Sequence, residues 1–146
     1  MKKLLIAAIL TIAVAVSASA GSFVEKAKLE SLFKAAYPGA THVHYKAVGE
    51  LISISFMYEH HAMQAFYNED CEKVAVSKAI VFSILPMRGQ EAINSRYPGY
   101  TPTEAVEMDS QMEGLCYYVS LKKDTKKLIV RLTPGGDLEV FKKIKS

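Results

Sequence analysis

Between Val24 and Ala36 the apolar residues Val24, Ala27, Leu29, Leu32, Phe33 and Ala36 fall on one broad helical face, and Glu25, Lys26, Lys28, Glu30 and Lys34 fill the other. That spacing predicts an amphipathic helix. Tyr37, Pro38 and Gly39 should stop it, proline by removing a backbone donor and glycine by permitting a chain reversal. The period then changes from helix to strand. Thr41 to Val48 alternates, and Leu51 to Tyr58 sets Ile52, Ile54, Phe56 and Tyr58 against Ser53, Ser55 and Met57. Ala62 to Tyr67 and Lys73 to Ile84 read as a third and fourth strand, after polar turns at Glu59-His60-His61 and Asn68 to Glu72.

The stretch from Ile84 to Tyr100 then restates Leu29 to Thr41, with Tyr97-Pro98-Gly99 answering Tyr37-Pro38-Gly39. Pro86 opens this second helix where a missing N–H costs little, while Gly89 weakens its first turn relative to alanine. Four strands are again expected, at Thr103 to Met108, Leu115 to Leu121, Leu128 to Thr133 and Leu138 to Ile144. The turn Pro134-Gly135-Gly136-Asp137 before the last is the strongest hairpin signal in the chain. The pattern therefore predicts an α+β tandem repeat, each unit a helix followed by a four-stranded antiparallel sheet, at residues 21–83 and 84–146. A unit of about 60 residues cannot easily bury its apolar face alone, so both helices are expected on one face of a combined sheet.

Residues 1–20 carry Lys2 and Lys3, an apolar run from Leu4 to Val16, and Ala18-Ser19-Ala20. This is the layout of a secretory signal peptide cleaved after Ala20, and the run is short for a membrane span. The expected product is periplasmic or secreted and has no transmembrane segment. Without Lys2 and Lys3, 16 basic residues face 15 acidic ones, a net charge of +1. That balance argues against nucleic acid as a partner. The basic clusters, Lys122-Lys123, Lys126-Lys127 and Lys142-Lys143 with Lys145, read as a solvated hairpin and C-terminus.

Export allows a disulfide between Cys71 and Cys116, although two thiols fit equally well. No G-x-S-x-G, H-E-x-x-H or phosphate-cradling glycine loop occurs, and no Ser, His and Asp are spaced for nucleophilic catalysis. The chain reads as a non-enzyme that needs no cofactor. The one metal-like ingredient is histidine: His42 and His44 alternate on a strand and form a weak candidate pair, while His60 and His61 sit in a turn.

Strand parity supplies the positive reading. If Ile52, Ile54, Phe56, Leu115, Tyr117 and Val119 face the helices, then Met63, Ala65, Tyr67, Leu128, Val130 and Leu132 do so too. The opposite face receives Ser53, Ser55, Gln64 and Cys116, together with Phe66, Val74, Val76, Tyr118, Ile129, Arg131 and Phe141. A solvated antiparallel face is normally polar. Tyr, Phe and Arg among small residues are interface vocabulary, so these last seven are the candidate partner-binding residues. The other repeat, the C-terminus or a second copy of the chain could equally cover the face, and a register slip of one residue would exchange the two sides.

Leu85-Pro86, Ala92-Ile93, Tyr97-Pro98-Gly99, Gly114 leading into Tyr117-Tyr118-Val119, and Gly136-Asp137-Leu138-Glu139-Val140 together resemble the PepSY-like, beta-lactamase-inhibitor-like family of exported bacterial proteins. The resemblance covers both halves of the chain after residue 20. It implies a tandem fold like that of the beta-lactamase inhibitory protein, whose open, concave sheet face grips a protein partner. It also implies inhibition of a periplasmic or extracellular enzyme; the alternative, read from the His residues and the sheet face, is a periplasmic protein that binds a small ligand or metal. Leu85-Pro86 has no counterpart before the first helix, and Cys71 stands where the second half has Gly136. Glu59 lies on a turn roughly corresponding to one that carries an acidic plug in the inhibitor, but no motif aligns them and the role is not carried over.

Overall fold

In the computed structural model, residues 23–145 are described, with side chains from 26 to 144. The expected signal peptide lies outside them. Helix α1 (Phe23–Ala36) is followed by β1 (Thr41–Val48), β2 (Leu51–Tyr58), β3 (His61–Tyr67) and β4 (Lys73–Ile80). A 3-10 turn (Phe82–Ile84) leads to α2 (Met87–Arg96), then β5 (Thr101–Ser110), β6 (Gly114–Lys123), β7 (Lys126–Leu132) and β8 (Leu138–Lys145). The described residues thus form an α+β fold of eight strands and two α-helices, and every strand pairing with a defined register is antiparallel.

One predicted element is overlong. The strand expected over Lys73 to Ile84 stops at Ile80, and Val81 to Leu85 turn instead, with Ile84 N–H donating to Val81 O and Leu85 N–H to Phe82 O. Pro86 holds Leu85 extended (φ −56°, ψ 148°), because proline's ring excludes the helical conformation from its predecessor.

The chain divides into two compact units between Ser77 and Lys78. In the first, β1, β2, β3 and β4 follow one another in sheet order. Leu29 and Phe33 of α1 and Tyr37 at its end pack on Ile54 and Phe56 of β2 and Ala65 and Tyr67 of β3. The packing is largely aromatic. Phe33 and Phe56 meet edge to face at 4.8 Å, Tyr37 lies 4.6 Å from Phe56, and Tyr58 closes on Tyr37 at 5.4 Å. In the second unit β5, β6, β7 and β8 are likewise successive. Leu85 and Ile93 cover Tyr117, Val119, Leu121, Leu128, Val130 and Leu132.

Both helices end in the same way. Tyr37 N–H reaches Phe33 O and Ala40 N–H reaches Tyr37 O; Tyr97 N–H reaches Ile93 O and Tyr100 N–H reaches Tyr97 O. Gly39 (φ +85°) and Gly99 (φ +82°) take the left-handed conformation that the reversal needs. Gly89 has a different reason to be glycine. A Cβ there would meet the Leu132 Cδ2 methyl, so α2 approaches β7 more closely than any side chain would allow.

The β2–β3 hairpin turns on Glu59 and His60, both at positive φ (49° and 68°) and both exposed. Two-residue turns of this hand favour Asn-Gly, because other L-residues pay a steric penalty there. The pair Glu59→Asn, His60→Gly is expected to raise stability by about 1 kcal/mol, read as a higher urea midpoint at unchanged slope. An unchanged or lower midpoint would mean that these side chains make compensating contacts in the native turn.

Candidate protein-binding face

The helix-facing parity holds in each unit. Ile52, Ile54, Phe56, Met63, Ala65 and Tyr67 join the core beneath α1, and Tyr117, Val119, Leu128, Val130 and Leu132 the core beneath α2. Leu115 departs, standing exposed near the start of β6.

On the other side of the first unit, Ser53, Gln64 and Phe66 are buried, as predicted for their position but not for an open surface. Gln64 Nε2 donates to Ser53 Oγ, and Ser77 Oγ donates to the Gln64 carbonyl. Val74 and Val76 do not belong to this side. Val76 packs on the helix-side core and Val74 shares its parity, while Ala75 and Ser77 are the buried residues between and beyond them. The preceding turn places Cys71 at φ +61°, and a left-handed residue resets the strand's facing in a way that alternation cannot register.

In the second unit Cys116, Tyr118 and Ser120 lie along β6, opposite Ile129 and Arg131 of β7, and Arg131 lies opposite Glu139 of β8. A bulge in β8, where Ile129 pairs Lys142 and Val130 pairs Val140, turns Phe141 onto Tyr118, ring centroids 5.3 Å apart and nearly perpendicular. The open face expected in each unit is closed at its large residues: Phe66 of the first unit is 0% exposed, and Tyr118 and Ile129 of the second are 1% and 2% exposed. Aromatic and branched side chains of this size are stabilising when buried, and the structure keeps them from water. What stays accessible is the rim. Arg131 is 21% exposed, Phe141 is half-buried, and Met112, Glu113, Leu115 and Glu139 are exposed.

Arg131 organises that rim. Its Nε lies 3.7 Å from Glu113 Oε2 and its Nη1 3.4 Å from Glu139 Oε1. Neither Arg131 Nε nor the buried Tyr118 hydroxyl has a hydrogen-bond partner among the described residues. Burial pushes the Tyr118 phenol up, the neighbouring Cys116 and Glu113 push the same way, and the Arg131 guanidinium opposes them. A permanently charged fork held between two carboxylates above an aromatic pair suits recognition of another protein's polar groups. Glu113 and Met112 carry no signal in the sequence, and Glu139 stands there only within the final turn-and-strand motif. They join the site only through cross-strand register and the β5–β6 turn, where Glu113 N–H donates to Ser110 Oγ.

The histidine pair does not alternate. β1 carries an irregularity between Thr41 and His44, and His42 sits there at φ 54°, so the i, i+2 relation that would aim two imidazoles at one ion is broken. No group of three or more His, Cys, Asp or Glu comes together among the described residues. Cys71 and Cys116 are buried, and no disulfide joins them among the described residues. A cleft of about 570 Å³ opens between α1 and β1, lined by Glu30, Phe33, Lys34, Tyr37, Ala40, Val43 and Tyr45, with the Glu30–Lys34 ion pair (2.9 Å) among its lining residues.

Tyr67 bears on alkaline stability. Burial first, then Tyr37 and Tyr45, push its phenol up to about 12. An unfolded tyrosine ionises near pH 10. Between about pH 10 and 12 the folded chain therefore holds a proton that the unfolded chain has released, and stability is lost as pH rises through that window. Absorbance at 295 nm should show part of the eight tyrosines ionising late, together with loss of ellipticity. Complete ionisation near pH 10 with the fold intact would contradict this placement.

No family model and no curated protein matches the chain. Solved structures do. A BLIP-like protein from Bacteroides fragilis shares 16% identity over 86% of this chain and 91% of its own, with a TM-score of 0.72. A protein from Bacteroides eggerthii predicted to be periplasmic shares 14% over 80% and 86%, TM-score 0.72. A DUF2874 family protein from Bacteroides uniformis shares 15% over 82% and 88%, TM-score 0.72. The chain has the fold of these proteins. No helix among the described residues is long and apolar enough to cross a membrane.

Proposed function

We propose that the chain is an exported, non-enzymatic protein-binding module, a tandem PepSY-like repeat that acts as an inhibitor of a periplasmic or extracellular enzyme in the manner its beta-lactamase-inhibitor-like fold suggests. The observation that carries the reading is the Arg131 fork between Glu113 and Glu139, set above Tyr118 and Phe141 on a fold shared with a BLIP-like protein. The repeat reading, with units at 21–83 and 84–146, is supported by the matching helix ends. It is supported also by two turns of one geometry: Asn68 N–H to Glu72 O with Cys71 at positive φ, and Thr133 N–H to Asp137 O with Gly136 at positive φ. The likeness to a protein predicted to be periplasmic supports export.

The binding residues are those that keep exposure on the side away from the helix, Arg131 and Phe141 of the second unit, whereas Phe66, Tyr118 and Ile129 are buried within their own units. Arg131 and Phe141 make the first contact, since they keep exposure. Immobilised Gly21 to Ser146 should retain a defined protein from the source organism's envelope extract. The double variant Arg131→Ala, Phe141→Ala should weaken that binding at least roughly tenfold, the scale of a hot spot, while its circular dichroism stays native. Undiminished retention by the variant would end this assignment. The cleft between α1 and β1, aromatic inside and with a Glu30–Lys34 ion pair on its lining, favours a second reading, a periplasmic small-ligand site.

A further inference from the structure

The register of the second unit brings together lysines that the sequence keeps apart. Lys122 lies opposite Lys127, and Lys123 opposite Lys126, across the β6–β7 hairpin; Lys142 and Lys143 of β8 lie opposite Ile129 and Leu128. Pairing and alternation put Lys122, Lys127 and Lys142 on the side of Tyr118 and Ile129, and Lys123, Lys126 and Lys143 on the side of Leu121 and Leu128. None of the six makes an ion pair with a described residue, and the acidic side chains at this end are Asp124 and Glu104. Like charges directly opposite in a sheet are destabilising, so folding stability does not account for two such pairs in one hairpin.

The other end of the same strands is mixed in charge: Asp109, Glu113, Asp137 and Glu139 lie at the β5–β6 and β7–β8 turns, and Arg131, Arg88 beside Gly136 and Arg96 on the Leu138 carbonyl lie among them, so the excess of basic charge is confined to the lysine end. A tyrosine accompanies the lysines: Lys123 Nζ stands 5.8 Å from the centroid of the half-buried Tyr100 ring, and Thr101, the next residue, pairs with Lys122.

We propose that this lysine end of the second unit docks onto an anionic lipid headgroup surface. Three lysines on each side of the sheet cannot all reach one patch on a protein or one groove of a duplex. Long flexible stems on both sides can all reach a plane lying across the strand ends. Lysine is a hydrated point charge suited to a diffuse layer of phosphates, whereas bidentate recognition in nucleic acid favours arginine. Tyrosine with its polar tip is a residue type that settles at the headgroup level. In this orientation the opposite end, where carboxylates and Arg131 alternate, points away from the surface. The inference does not depend on the identity or existence of a protein partner.

The test is flotation of Gly21 to Ser146 with vesicles of phosphatidylcholine alone or with phosphatidylglycerol added. This chain contains every described element and omits the apolar run from Leu4 to Val16, which would partition without regard to charge. Partition onto the anionic vesicles should be strong, should vanish as salt is raised, and should fall on the order of a hundredfold in the triple variant Lys122→Gln, Lys127→Gln, Lys142→Gln. An equal charge change elsewhere, Lys26→Gln, Lys28→Gln, Lys46→Gln, should cost much less. Equal partition onto both vesicle types, or equal losses in the two triple variants, overturns the proposal. So does retention on duplex DNA in the same buffer without vesicle binding, which would assign the patch to nucleic acid. The salt titration on the unmodified protein keeps the test decisive if a variant fails to fold.

Discussion

Phe56→Ala is expected to cost the first unit about 3–5 kcal/mol. Phe56 is 3% exposed on β2, and its ring touches both Phe33, from α1, and Tyr37, at the helix end. Truncation removes the transfer free energy of a whole ring and leaves a hole that two other aromatic rings cannot fill without leaving their rotamers. A domain of this size holds only about 5–15 kcal/mol in all, so the variant should be near its unfolding threshold at room temperature. The neighbouring residue supplies the comparison. Met57 is exposed on the same strand, and Met57→Ala should stay within about 0.5 kcal/mol of the parent. Urea unfolding read by far-ultraviolet ellipticity separates them, and comparable losses in the two variants would refute the facing assigned to β2.

Gly89→Ala is the second large effect, and here the sign carries the information. Helix propensity alone predicts a gain of about 1 kcal/mol, since glycine is a poor residue in an α-helix. The packing predicts the reverse, because the new methyl would land on Leu132 Cδ2 in the core of the second unit. Leu132 is 0% exposed and belongs to one buried core with Leu85 and Ile93, so it has no open solvent to swing into. A loss of about 1–3 kcal/mol is expected. Combining Gly89→Ala with Leu132→Ala should give a double variant less destabilised than the two losses added, since the new methyl then enters space that the leucine has left. A stabilised single variant would mean that α2 sits farther from β7 than the structure has it.

Gly89 also shows where the limit of sequence reading lies. In the sequence it is a weakness in a helix; in the structure it is a requirement of helix–sheet contact, made by a residue 43 positions away. Val74 and Val76 show the same limit in a strand. Their alternation was legible, but the phase of that alternation was set by Cys71 at positive φ in the turn before it. Alternation puts Tyr118, Ile129 and Phe66 on the side away from the helices, where an open surface is expected, and they are buried. Period-2 patterning reports which side of a strand a residue occupies. It does not report whether that side meets water.

The sequence by itself determined the order of the elements, most of their bounds, the two Tyr-Pro-Gly helix stops and the residues that face the helices. Periodicity and stop signals are local, and they are written within a few residues of the structure they specify. Only the tertiary structure decided that Arg131 lies between Glu113 and Glu139, that the candidate face is closed except at its rim, that His42 and His44 do not alternate, and that six lysines from two stretches share one end of the second unit. Each of these depends on which residue of one strand meets which of the next. That register is set by turns with left-handed residues and by the bulge in β8, whose effects are felt across strands and leave no mark in the pattern along the chain.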